Sequence, residues 1–120
     1  MRNVLLALGL GLLPGIAAEA QTAGPFDGTW VGRGTLTANR GRGTDCGPET
    51  VNNRLTVQGG RLSILYSPQA GIRFEGPVAA DGGFSIVSGQ SRFAGRFTER
   101  GMAATFSHPS CERAWRFVRG

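Results

Sequence analysis

Phe84-Ser85-Ile86-Val87-Ser88-Gly89-Gln90-Ser91-Arg92-Phe93-Ala94-Gly95-Arg96-Phe97-Thr98 decides the fold of this chain. Phe93, Gly95 and Phe97 alternate with Arg92, Ala94 and Arg96, the two-residue period of a strand with one apolar face. Gly89-Gln90 turns between this run and the shorter one before it. The same grammar extends in both directions. Toward the C-terminus, Glu99-Arg100-Gly101 turns into Met102 to His108, and Pro109-Ser110 leads into Cys111 to Arg119. Toward the N-terminus, Asp81-Gly82 is a hairpin turn after Ile72 to Val78, where Pro77 marks an edge or bulge. Ser67 to Gly71 joins that run to Arg61 to Tyr66, and Gly59-Gly60 makes a tight hairpin with Thr50 to Gln58. The first run, Thr29 to Ala38, places Trp30, Gly32, Gly34 and Leu36 on one face, and a long loop, Asn39 to Glu49, follows it.

From Phe26 onward no stretch carries a helical period, so the domain is expected to be all-β with eight strands. Short turns between consecutive strands describe an antiparallel up-and-down eight-stranded barrel, which hides its edges by closing. A two-sheet β-sandwich is the alternative, and its Greek-key order needs longer cross-connections than most of these gaps supply.

Residues 1–20 follow another rule: Arg2 is followed by the apolar run Val4 to Leu13, a Pro14-Gly15 break and Ala18-Glu19-Ala20. This is the pattern of a signal peptide cleaved before Gln21, and its apolar core is about half the ~20 residues needed to span a bilayer. Residues 21–120 then form one small domain, periplasmic or secreted, with no transmembrane segment. The whole chain has 120 residues and a net charge of +5, and all its basic side chains are arginines. Losing Arg2 and Glu19 leaves that charge unchanged. It would attract anionic partners, but the arginines are scattered, and the all-Arg usage reads first as genome composition. A nucleic-acid partner is not expected after export.

Export also gives the two cysteines a meaning. Cys46 and Cys111 are an even pair in an oxidising compartment and are expected to form a disulfide, fastening the first strand to the last at the closing seam of a barrel. With one His in the chain, they fall short of the four ligands of a structural zinc, so no metal is expected.

Groups for catalysis are sparse. His108 stands at a strand end beside Pro109, and Ser107 or Ser110 could be drawn toward it, but no nucleophile elbow is present. The acids Asp27, Asp45, Glu49, Glu75, Asp81, Glu99 and Glu112 fall mostly in turns and loops, which does not suggest a convergent carboxylate pair. The two Gly-Arg-Gly-Thr segments, at 32–35 and 41–44, lack the Lys and the strand-to-helix context of a phosphate loop. No catalytic residue and no cofactor are assigned. Arg40 and Arg42, between glycines, are candidates for ligand or partner contact. Trp30, Phe74, Phe84, Phe93, Phe97, Phe106, Trp115 and Phe117 share the presumed inner face and read as core. Eight strands is the size at which side chains fill the interior or leave room for one small ligand. Gly32, Gly34, Gly76 and Gly95 on that face are compatible with either, and Tyr66 is the polar-tipped aromatic expected near the rim of a pocket.

Phe26-Asp27-Gly28-Thr29-Trp30 resembles the Gly-x-Trp signature that opens the calycin barrels, the lipocalins, fatty-acid-binding proteins and avidins. The resemblance implies that Trp30 closes one barrel end beneath an arginine from the last strand, with Arg113, Arg116 and Arg119 as candidates, and that an interior ligand site is available. Lipocalins are longer and carry a helix that has no counterpart here, so the layout is closer to avidins and small exported bacterial barrels. The closing residues Cys111, Trp115 and Arg119 are similar to those of uncharacterised exported bacterial proteins, and exported metalloprotease inhibitors are also small disulfide-bearing barrels. The functional expectation is a non-enzymatic binding barrel for a small ligand. A filled barrel contacting a protein or envelope partner through the loops 40–49 and 67–71 is the alternative, and a small hydrolase ranks last.

Overall fold

The computed structural model describes residues 24–41 and 46–120, so the signal-peptide reading of 1–20 and the candidate Arg42 lie outside the described residues. Among the described residues eight strands follow one another: β1 (Gly28–Asn39), β2 (Thr50–Gln58), β3 (Arg61–Ser67), β4 (Ile72–Pro77), β5 (Gly83–Ser88), β6 (Ser91–Phe97), β7 (Met102–His108) and β8 (Cys111–Arg119). They form one antiparallel sheet in the order β4-β3-β2-β1-β8-β7-β6-β5, curled into a nearly closed up-and-down barrel. Among the described residues no helix is long and apolar enough to cross a membrane.

Alternation places the core. Along β8, Arg113, Trp115 and Phe117 are buried while Ala114, Arg116 and Val118 are exposed. All eight aromatics read as core are buried, Phe74 and Phe93 at 0% exposure. Hairpin chemistry sets the register: Gly59 and Gly60 both take positive φ, 60° and 75°, so a two-residue turn pairs Gln58 with Arg61. The inner-face glycines mark volume that is filled. Gly34 lies opposite Trp115, and a methyl group there would overlap the indole, while one on Gly32 would strike the ring of Phe117.

The seam between the first and last strands is laddered from Trp30 opposite Arg119 to Asn39 opposite Cys111, with one register shift between Leu36 and Ala38. Cys46 and Cys111 form the expected disulfide there, with Cα atoms 5.7 Å apart and a sequence separation of 65. A loop of that length stabilises by about 4 kcal/mol on the chain-entropy model. The weakest seam lies on the opposite side: β4 and β5 share no ladder, and the disulfide does not fasten it. There Gly76 packs against Ile86, and Phe74 stacks on Phe93 with ring centroids 5.5 Å apart, so side chains rather than backbone complete the wall.

Candidate functional site

The inward face of β8 carries an arginine at each end, Arg113 and Arg119, with Trp115 and Phe117 between them. Arg116 has the opposite parity and points outward. Arg119 lies with its guanidinium 4.6 Å from the centroid of Trp30. It donates to the carbonyls of Asp27 at 2.8 Å and Pro25 at 2.7 Å. Trp30 Nε1 donates to Phe26 O at 3.0 Å, and the Phe26 ring stacks on Phe97. The Asp27 carboxylate accepts from the N–H groups of Gly60 and Gly59, which hold its pKa below the usual carboxylate value. This end of the barrel is plugged.

Arg113, 4% exposed, is at the other end and donates to four carbonyls: Pro48 at 2.8 Å, Cys46 at 2.9 Å, Glu49 at 3.1 Å and Gly34 at 3.3 Å. A buried cation must be hydrogen-bonded, and here backbone dipoles take the role that a carboxylate would otherwise fill. Their effect is to pin the segment that leads into the disulfide against β1 and β8.

Tyr66 stands beside it. The β3–β4 register slips between Leu65 and Ser67, leaving Tyr66 without a cross-strand partner, and such an irregularity re-aims a side chain. Its ring stacks on Phe106 at 4.2 Å, nearly parallel at 11°, and meets Phe74 and Trp115 edge-on. Its hydroxyl oxygen accepts from Trp115 Nε1 at 2.9 Å. Burial pushes the phenol pKa up to about 12, against the pull of the Trp115 N–H and the Arg113 guanidinium. Trp115 thus occupies the oxygen as a donor, and among the described residues no hydrogen bond takes the hydroxyl proton.

A recess of about 290 Å³ opens next to that proton, walled by Ile72, Phe106 and the disulfide, with His108 and Arg113 at its edge. His108 Nδ1 accepts from the Ser110 N–H at 3.1 Å, which leaves Nε2 as the protonated, donating nitrogen. A second recess of similar size lies on the other side of Tyr66, against Pro48, Val51 and Trp115. Tyr66, Arg113, Cys46 and the end of β3 at Ser67 therefore meet in one place. Arg40 stands apart, half exposed, donating to Pro109 O and ion-paired with Glu112 at 3.3 Å.

His108, at the end of β7, is half-buried. Its parity signals this, since Met102, Ala104, Phe106 and His108 share one face of β7. The lining role of Ile72 was hidden, because it depends on which end of the barrel stays open. Among the described residues no three His, Cys, Asp or Glu side chains converge as a metal-ligand set. No protein-family model, curated protein or solved structure matches the chain.

Proposed function

We propose that this chain is a non-enzymatic binding barrel that takes a small ligand at the disulfide end. The observation that carries this reading is the Tyr66 hydroxyl on the wall of the recess, its oxygen engaged by Trp115 Nε1 so that its proton is left for an acceptor there. The volume is at the small end of ligand pockets, about 300–1,000 Å³. Phe106 and Ile72 offer an apolar wall, while Tyr66 O–H and His108 Nε2–H offer donors. The fitting ligand is a compact apolar molecule carrying a carbonyl or carboxylate. A Gly-x-Trp first strand with an arginine over the tryptophan is similar to the calycin arrangement and supports a binding scaffold. The disulfide and the apolar leader favour an exported location.

Native mass spectrometry of gently purified protein, compared with the same sample denatured, tests the proposal. The expected result is a small adduct lost on denaturation and at least tenfold depleted in Tyr66→Phe, which keeps the ring. Bare wild-type protein would overturn it and favour the second reading, a filled barrel that contacts another protein. That reading has its own support: Phe74, Phe93, Phe97, Phe117 and both tryptophans occupy the interior, and the loops framing the recess could act as a contact rim.

A further inference from the structure

Away from the recess, the outer wall of β2, β1 and β8 carries a cationic array that the reading above does not use. Arg33 on β1 lies directly opposite Arg116 on β8, and Arg54 on β2 lies opposite Val31, whose other neighbour is Val118. All three arginines are exposed, and together with Val31 and Val118 they line one shallow groove of about 620 Å³. Val118 is 55% exposed. Among the described residues, Arg40, Arg73 and Arg96 have carboxylate partners, whereas Arg33, Arg54 and Arg116 have none. Like charges directly opposite on adjacent strands are destabilising, so the Arg33–Arg116 pair costs the free protein stability unless an anion sits between them. A guanidinium fork suits phosphate oxygens in particular.

We propose that this wall docks on the phosphate head groups of an anionic lipid bilayer. The cations lie on three adjacent strands around an apolar Val31–Val118 centre, so the array extends in two dimensions and its middle gains from leaving water. A soluble polyanion offers nothing apolar to those valines. Single-stranded nucleic acid would look for aromatic platforms, and the groove lining has none.

The experiment is vesicle co-sedimentation at physiological ionic strength, with phosphatidylcholine vesicles against vesicles containing phosphatidylglycerol. Wild type is compared with the identically prepared triple variant Arg33→Gln/Arg54→Gln/Arg116→Gln and with a charge-matched variant, Arg61→Gln/Arg73→Gln/Arg92→Gln. An arginine near an anionic surface contributes about fivefold in affinity, so the first variant is expected to lose on the order of a hundredfold on anionic vesicles. The second is expected to lose no more than about tenfold. Equal losses would show that net charge alone acts and would overturn the proposal. Wild-type binding to a sulfated polysaccharide but not to anionic vesicles would overturn it equally. Arg33→Gln alone separates docking from folding: it is expected to melt at the same temperature or higher while binding vesicles several-fold more weakly, and a lowered melting temperature would assign Arg33 to the fold instead.

Discussion

The two ends of the barrel are built from the same part and finish differently. Each has an arginine from the inward face of β8 donating to backbone carbonyls. At the Arg119 end the acceptors belong to residues 25–27, whose chain packs over the rings of Trp30 and Phe97, so the arginine caps a closed stack. At the Arg113 end the acceptors are in Gly34 and the segment 46–49, which is tied to β8 by the disulfide and runs beside the rings. Tyr66 is left at the mouth with a recess on either side. An inward arginine at a strand end therefore closes a barrel only where the chain carries its acceptors across the opening.

Removing Arg113 is the largest way to break this symmetry. Arg113→Met keeps an apolar stem but takes a donor from four carbonyls, of which Glu49 O retains the Leu36 N–H. Unsatisfied buried groups cost about 1–3 kcal/mol each where water cannot reach them. With some of the loop relaxing toward solvent, a total loss of about 4 kcal/mol is expected in thermal or urea unfolding. Hydrogen exchange should rise first in segment 46–49 and leave β1 near Trp30 protected. A uniform rise across both ends would mean that Arg113 holds the whole barrel and not one mouth.

Alkaline pH is the next largest probe, and it acts on the open end alone. The Tyr66 phenol is raised from 10 to about 12, so between those values the unfolded chain has released this proton while the native chain retains it. Its contribution is complete below pH 10 and is lost as pH rises toward 12, amounting to about 2 kcal/mol. Unfolding of wild type should become easier by that amount across this window. Tyr66→Phe should show no such fall, and parallel curves for the two proteins would place the phenol in water.

How much of this was legible follows from what alternation can carry. The parity of Phe93, Phe97, Phe106, Trp115 and Phe117 fixed the inner face, and Gly59-Gly60 fixed a hairpin, because both are local consequences of strand geometry. Arg113, Arg116 and Arg119 could not be ranked from spacing alone. Parity separates Arg116 from the other two, but assigning Arg119 to Trp30 requires the register across β1, where Trp30 faces Arg119 and Leu36 faces Arg113. The inner glycines were ambiguous for a similar reason. Gly34 is compatible with a filled interior or an open one until its cross-strand partner proves to be Trp115. The location of the β4–β5 break, and with it the packing of Gly76 on Ile86, depends on how the whole sheet curls and has no local signature.

The smallest expected effect belongs to the plugged end, where Arg119 is exposed and its contacts compete with water. Arg119→Met removes a cation–π contact of about 0.5–1 kcal/mol and two hydrogen bonds that are partly replaceable by solvent. A loss of about 1 kcal/mol is expected, roughly a quarter of that for Arg113. Arg119→Lys sharpens the assignment, since an ammonium keeps a charge over the ring but not the planar fork that spans the carbonyls of Pro25 and Asp27. It should recover about half the loss. Measured in a Trp115→Phe background, where Trp30 is the remaining tryptophan, Arg119→Met should shift the indole emission toward that of a solvated ring, and Arg119→Lys should shift it less. Equal shifts would assign the shielding of Trp30 to the carbonyl contacts that hold residues 25–27 in place, and not to the cation above it.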